Sequence, residues 1–584
     1  MKKTFYLVLL SSFLFQAAFC QTATHYKWWN PANNSFPVVQ GQGWHEGLAH
    51  PYDRLPAKAE KTVRKVVWSL SNESAGLWIS FRSNATDIRV RYTVGERLNM
   101  PHMPSTGVSG VDLYALNKDG GWQWSGGKYH FGDTIEYHFQ SLKHDYIREY
   151  HLYLPLYNNV KWLEIGVPDS SKMTPLPIET VKPIVVYGTS IAQGACASRP
   201  GMAWTAILGR RLHRPVINLG FSGNGRLEEP VADLLTELDP EIYVIDCLPN
   251  MTGFPGDTTK ARLMKTVKTL RERKPDIPVL IVQDADANIN SLDTHRDSGY
   301  KRVNEVGQSA FAEMKAAGIR DIYFLSSSDI GFGIESTVEG THPNDYGMEQ
   351  YAAAYAKKIR EILHEPAGDY TTTQPCMQYR SQVYDWEARH RKELEMNKTR
   401  PPRIVFLGNS ITHYWGGEPY CRIHRGEDSW KKYFEPLGVR NFGFSWDRIE
   451  NVLWRVYHGE LDGYRARQVI MNIGTNNLAY NSDSEIVAGI KLLIGAIKQR
   501  QPGASILIIG IYPRKGGEKR VADLNQKIVH LCGNENVDYA NPGVGLLDKS
   551  GKVVTSLFAD GRLHPNAAGY RILAKALQPY LITK

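Results

Sequence analysis

The sequence predicts a multidomain chain in which an N-terminal β-sandwich precedes two α/β domains built on parallel sheets. Up to Lys182, apolar and polar residues alternate in short runs with the period of two that half-buried strands require. Beyond Lys182, apolar strand-like runs alternate with amphipathic helical stretches, the pattern of a parallel sheet covered by helices. That second pattern occurs twice, with four landmarks at nearly equal spacing in each copy.

Composition sets the frame for these elements. With 584 residues, 42% of them hydrophobic and 11% aromatic, the chain can fill several cores and resembles neither a disordered nor a polytopic membrane protein. The formal charge of +9 comes from 69 Lys+Arg against 60 Asp+Glu, spread along the chain rather than gathered in a stripe. No nucleic-acid partner is therefore predicted.

Residues 1–20 read as a secretory signal: Lys2 and Lys3, an apolar run from Phe5 to Phe15, then Ala18 and Cys20 ahead of a cleavage point. The run falls short of the about 20 apolar residues of a membrane-spanning helix. The expected location is secreted, periplasmic or at the cell surface. Lipid attachment at Cys20 is the lesser alternative, because Phe19 is bulky where that processing prefers a small residue. Five cysteines follow, Cys196, Cys247, Cys376, Cys421 and Cys532, without a C-x-x-C pair or zinc spacing, so no structural metal is expected. Their odd number leaves at least one unpaired within the chain, and which of them pair stays open.

Residues 21–180 form the expected sandwich, from runs such as Val66–Leu70, Leu77–Phe81 and Ile88–Tyr92 separated by turn residues. Its Trp28, Trp29, Trp44, Trp122, Trp124 and Trp162 are candidates for stacking on sugar rings, with core packing the ordinary alternative. Residues 181–364 form the first α/β domain, with strands expected at Pro183–Tyr187, Pro215–Leu219, Ile242–Cys247, Pro278–Gln283 and Ile322–Leu325. Residues 365–401 hold a Pro- and Thr-containing linker and a charged lead-in helix, Tyr384–Asn397. Residues 402–584 repeat the α/β pattern, with strands expected at Arg403–Leu407, Val439–Phe442, Gln468–Ile473, Ser505–Ile511 and Val537–Tyr539.

The landmarks carry the chemistry. Each copy opens with a strand ending in Gly-x-Ser, at Ser190 and at Ser410, followed by Asn-x-Gly-Phe-Ser at Asn218–Ser222 and Asn441–Ser445. Each then has an asparagine after its third strand, Asn250 and Asn476, and ends in His-Pro-Asn at His342 and His564. The serine-to-histidine separations are 152 and 154 residues. A serine hydroxyl needs a base to take its proton, and the base works best when a carboxylate orients it. Glu339 stands three residues before His342, and Asp560 four before His564. Serine at the carboxyl end of the first strand sits where open α/β sheets hold ligands. A tetrahedral intermediate also needs donors for its oxyanion, and Gly223, Asn250 and Asn476 are placed to give them. His-Pro-Asn is also a helix start, a role compatible with the catalytic one.

This order resembles the SGNH hydrolases, also called GDSL-like lipase/acylhydrolases, over roughly 180 to 364 and 402 to 582. The resemblance implies a flavodoxin-like α/β fold, ester hydrolysis and no metal or other cofactor. It assigns Ser190 and Ser410 as nucleophiles, His342 and His564 as bases, Glu339 and Asp560 as their acids, and Gly223, Asn250 and Asn476 to the oxyanion hole. Gly110-Val111-Asp112-Leu113-Tyr114 looks like the GxDLY motif of the β-sandwich found ahead of some SGNH esterases. Copy one departs from the family in having Glu339 where Asp is usual. Copy two has Trp446 where Gly is usual, followed by Asp447; both are taken as substrate-pocket candidates.

The resulting expectation is a secreted carbohydrate esterase that removes O-acyl groups, most simply O-acetyl, from polysaccharides or oligosaccharides at two sites. The acetyl group comes through the resemblance alone. A glycan-binding protein with inactive copies is one alternative. A lipase or thioesterase is another, although the connection from Asp286 to Tyr300 is polar where a lipase lid would be apolar.

Overall fold

The computed structural model describes residues 24–286, 292–378 and 384–582. The leader at 1–20 and part of the Asp286–Tyr300 connection lie outside the described residues. Among those described, no helix is long and apolar enough to cross a membrane.

The N-terminal region is a sandwich of two mainly antiparallel sheets. One has the spatial order Tyr26–Trp29, Val160–Pro168, Ile88–Val94, Ile135–Phe139, Lys128–His130. The other runs Met173–Pro175, Trp78–Ser83, Arg148–Tyr153, Asp112–Leu116, Trp122–Ser125, with Val39–Gln40 pairing on Trp78–Ser83. Alternate residues such as Ile79, Phe81, Val90, Leu113, Leu152 and Leu163 fill the space between them and are fully buried or nearly so. The expected run Val66–Leu70 is instead the helix Lys65–Ser71. Five mostly apolar residues satisfy either period, and here Val67 and Ser71, one helical turn apart, are buried while Val66 is 50% exposed.

The GxDLY aspartate fastens this sandwich to the first α/β domain. Asp112 opens the strand next to the sheet edge, and its carboxylate accepts from the Gly201 N–H and from the Arg199 guanidinium, both on that domain. None of the six candidate tryptophans is buried: Trp28, Trp29, Trp44, Trp122 and Trp162 are half-buried and Trp124 is exposed. Trp44 donates to Glu237, Trp122 to the Arg210 carbonyl and Trp124 to Asp112, while the Arg91 guanidinium lies 4.0 Å over Trp28.

Both α/β units share one plan. In the first, the strands Ile184–Gly188, Val216–Gly220, Ile242–Asp246, Val279–Val282 and Ile322–Leu325 are all parallel. Numbered along this unit, their spatial order is 2-1-3-4-5. In the second, Ile404–Gly408, Val439–Gly443, Gln468–Asn472, Ser505–Ile509 and Asp538–Ala540 adopt the same order. This is the flavodoxin-like order, whose switch point lies beside the first strand. Register matches as well: Gly188 sits between Gly220 and Asp246, and Gly408 between Gly443 and Asn472. Each sheet is buried on both faces, which explains why its strands read as continuous apolar runs.

The lead-in helix, Trp386–Thr399, packs on the second unit. It supplies Trp386 to a cluster with Phe444 and Trp454, and His390 to a buried contact with Glu460 at 3.1 Å. All five cysteines among the described residues are free thiols.

Candidate active sites

Each serine is placed by a strand end and a cap. After Gly188, Thr189 leaves the strand and its hydroxyl accepts the Ile191 N–H, so Ser190 begins the short turn Ser190–Gln193. Asn409 does the same for Ser410, accepting the Ile411 N–H at 2.9 Å. Both serines are almost fully buried side chains at the carboxyl edge of the sheet.

Each histidine comes from the loop before the last helix. Ser190 Oγ lies 2.8 Å from His342 Nε2, and His342 Nδ1 is hydrogen-bonded to Glu339. Ser410 Oγ lies 3.0 Å from His564 Nε2, and His564 Nδ1 is 2.6 Å from Asp560. The asparagines of both His-Pro-Asn motifs cap those helices, Asn344 taking the Gly347 N–H and Asn566 the N–H groups of Ala568 and Gly569. Capping and the serine contact thus coexist in the same motif.

The acids are themselves held. Glu339 also accepts the His342 backbone N–H at 2.9 Å. Asp560 accepts the N–H groups of Arg562, Leu563 and His564. Burial opposes ionisation of Asp560, but the Leu563 and Arg562 N–H groups and His564 outweigh it and hold the carboxyl well below its usual range. The His564 imidazole is lowered by burial, with Arg425 and Arg514 adding to this and Asp560 opposing it. A neutral ring can accept a serine proton.

The predicted oxyanion glycine and its counterpart in the second copy share a left-handed backbone. Gly223 has φ of +66° and Trp446, at the matched position, +70°. A Cβ on Gly223 would meet nothing within 4 Å, and the matched residue of copy two, Trp446, is 50% exposed. The Asn250 carboxamide oxygen accepts the Gly225 N–H at 3.1 Å, while the Asn476 amide donates to the Asp447 carbonyl at 2.9 Å. Asp447 departs from the expectation of a pocket residue. Its side chain is fully buried, 2.9 Å from Arg455 Nε, and takes the Trp386 indole N–H at 2.8 Å. The left-handed turn at Trp446 sends the indole outward and the next side chain into the interior.

Four supporting residues escape sequence reading. Three residues beyond each serine, Gln193 and His413 accept the backbone N–H of Ser222 at 2.9 Å and of Ser445 at 3.1 Å, just ahead of Gly223 and Trp446. Burial, with Arg389 and Arg455 nearby, pushes the His413 imidazole far down, so it stays neutral and its Nδ1 can accept. Arg54, from the sandwich region, donates to the carbonyls of Asn218 and Gly220 at 3.1 and 2.8 Å. Arg389, from the lead-in helix, donates to the matched carbonyls of Asn441 and Gly443 at 2.8 and 2.9 Å. Two buried guanidiniums from different parts of the chain thus brace the same two carbonyls below each proposed oxyanion loop. Only the shared spacing of Gln193 and His413 from the serines is open to sequence reading.

A serine hydroxyl bonded to an imidazole that a carboxylate holds, at the switch point of a parallel sheet, is an arrangement for attacking an acyl carbonyl. Fold and sites together define an ester hydrolase with two such arrangements. The GDSL-like lipase/acylhydrolase family models match residues 181–360 and 406–572, and the model for the N-terminus of SGNH-hydrolase-type esterases matches 26–173. A protein described as a GDSL-like lipase from Bacteroides ovatus is 32% identical, with the alignment covering 58% of this chain and 98% of that one at a TM-score of 0.54. The alpha1 subunit of the bovine platelet-activating factor acetylhydrolase IB is 27% identical over 202 residues, 34% of this chain and 82% of the relative. The human alpha2 subunit is 29% identical over 206 residues, 34% of this chain and 83% of the relative. The chain belongs to the GDSL-like lipase/acylhydrolase family.

Proposed function

We propose that the protein is an exported carbohydrate esterase that removes O-acetyl groups from polysaccharides or oligosaccharides at two serine sites. The observation that carries the hydrolytic part is the pair of Ser–His–acid chains, with serine-to-imidazole distances of 2.8 and 3.0 Å. The acetyl preference is supported by relatives that are named acetylhydrolases. The sugar is supported by the half-exposed Trp446 indole beside the second site, since an exposed aromatic face suits a sugar ring. Export is inferred from the leader at 1–20.

In the proposed cycle, His342 Nε2 takes the Ser190 proton as Oγ attacks the acetyl carbonyl. The Gly223 N–H and Asn250 amide take the oxyanion, and the imidazolium returns the proton to the departing sugar oxygen. Water then attacks the acetyl-serine with the same base. Ser410, His564, Asp560 and Asn476 perform the corresponding steps in the second unit, where the Trp446 backbone N–H replaces that of Gly223. The acid in each chain keeps the ring's Nδ1–H directed away from the serine and stabilises the imidazolium.

The test is acetate release from a panel of acetylated polysaccharides, and from simple esters of increasing acyl length, by the wild type, Ser190→Ala, Ser410→Ala and the double variant. Each single variant is expected to lose its own subset and the double variant to lose all release. Release that survives in the double variant would overturn the two-serine assignment, and preference for long acyl chains would overturn the acetyl reading.

A further inference from the structure

We propose that His102, Cys196 and His342 form a binding site for a zinc-class cation that silences the first active site and leaves the second untouched. The three residues come from two parts of the fold. Met100–Val108 is a segment of the sandwich that lies on the first α/β unit: Thr106 donates to the Ser198 carbonyl at 2.7 Å, and Cβ on Gly107 would collide with the Ala197 carbonyl oxygen. This contact brings the His102 ring to 5.7 Å from the His342 ring, centroid to centroid. Between them the chain turns through the left-handed region at Cys196, whose buried thiol donates to the His102 carbonyl at 3.3 Å.

One ligand atom from each residue can be chosen so that all three lie within 4.8 Å of one another, and among the described residues this is the one such group. Ligands on a common tetrahedral zinc, bound at about 2.0 to 2.3 Å, stand about 3.5 Å apart. The exposed His102 side chain can turn to close the difference. Two imidazoles and a thiolate select zinc-class ions over calcium or magnesium, which prefer oxygen. Glu339 on His342 Nδ1 completes the carboxylate–histidine pairing that usually stands behind a metal-bound imidazole.

The effect on turnover comes from the atom that is shared. On binding, the Cys196 S–H bond breaks, a sulfur–metal bond forms and the proton leaves to solvent. His342 Nε2 then gives its lone pair to the metal and releases the Ser190 hydroxyl it otherwise holds at 2.8 Å. The second unit lacks the set: the position six beyond its serine is Gly416 in place of Cys196, and the ring beside its base is Tyr414, at 5.5 Å.

The inference rests on the proposed Ser190–His342 pair for its effect on turnover, but metal binding is measurable without turnover. Full-length protein is titrated with Zn2+ while simple-ester hydrolysis is followed separately in Ser410→Ala and Ser190→Ala variants, then reversed with a chelator. In parallel, Cd2+ is added to the same proteins and the ultraviolet cadmium–thiolate band is recorded. The first site should be inhibited and the second unaffected; His102→Ala and Cys196→Ser should retain metal-free activity and weaken inhibition by more than the about 10- to 100-fold that losing an outer-shell partner costs. The band should vanish in Cys196→Ser, and Cys196→Ala serves if the serine variant fails to fold. Equal inhibition in wild type and both variants, or a band that survives without Cys196, would overturn the site. An inactive first site with an intact, Cys196-dependent band would instead defeat the hydrolase reading and keep the metal site.

Discussion

Replacing Arg54 with alanine should damage one active site while sparing the other. The side chain is 1% exposed and its guanidinium donates to four carbonyls: Glu73 at 2.7 Å, Leu70 at 2.6 Å, Asn218 at 3.1 Å and Gly220 at 2.8 Å. Each buried acceptor left without a donor costs about 1 to 3 kcal/mol, although water entering the space recovers part of this. With four acceptors affected and water recovering part of the loss, the first unit should lose several kcal/mol of stability. Asn218 and Gly220 lie three to five residues before Gly223, so their displacement moves a proposed oxyanion donor. A misplacement of about 1 Å lowers turnover by about 100-fold. The assay is kcat and KM for a simple ester in the Ser410→Ala background, with the second site, read in the Ser190→Ala background, as internal control. Chemical denaturation is followed alongside. The first site should lose kcat with little change in KM, the second should keep both, and Arg54→Lys should restore part of the loss. Arg389→Ala should reverse the pattern. Lower stability with an undiminished first-site kcat would refute the bracing of the oxyanion loop and leave Arg54 a structural clamp.

The geometry sets three further outcomes. Because burial lowers His564 and the base acts when neutral, the acid limb of kcat/KM in Ser190→Ala should fall below about 6.5, the ordinary histidine value; a limb above it contradicts the site electrostatics. Asp560→Asn should lower second-site kcat by about 10² to 10⁴ while circular dichroism stays native, since Asp560 holds His564 Nδ1 at 2.6 Å. Asp112→Ala removes the acceptor of Gly201 N–H and Arg199, and should loosen the sandwich from the first unit, visible as faster hydrogen exchange along Asp112–Leu116 and near Gly201 without loss of second-site activity.

The α/β units are legible because their strands are buried on both faces, so the sequence spells each as an unbroken apolar run between glycines and polar turns. The register Gly188 with Gly220, repeated as Gly408 with Gly443, matches the Gly-x-Ser and Asn-x-Gly landmarks. Val66–Leu70 is not legible, because a run of five lacks the length to separate periods of 2 and 3.6, and packing makes the choice. Arg54 is invisible for a different reason. Its partners stand 164 and 166 residues away and are carbonyl oxygens, which every residue carries. Asp447 misleads through its neighbour: beside an outward Trp446 it looks like a second pocket residue, but the positive φ between them turns it toward Arg455.

The two copies agree beneath the serine and differ above it, and this pattern favours divergence of substrate over decay of one site. The acids illustrate the agreement. Glu339 stands three residues before its histidine and Asp560 four, yet both reach Nδ1. The side chain shorter by one methylene is matched by one more residue of loop, a compensation that has a purpose only while the contact matters. The bracing repeats by unrelated means, Gln193 and Arg54 in one copy, His413 and Arg389 in the other, ending on the same backbone groups. Above the serine side chains differ: Trp446 stands at the position of Gly223, and Gly416 at that of Cys196. Trp446 keeps a left-handed backbone that costs a side-chain-bearing residue about 1 to 2 kcal/mol, and it leaves half its indole in solvent. A drifting, inactive copy would relieve that strain or lose the proton chain. On the proposed carbohydrate-esterase reading, the retained indole is a substrate contact. Trp446→Gly should therefore raise KM for a polysaccharide substrate of the second site and leave kcat on a small acetyl ester within about twofold, as expected when a remote binding contact alone is removed. An equal loss on both substrates would place the indole's role in the chemistry instead.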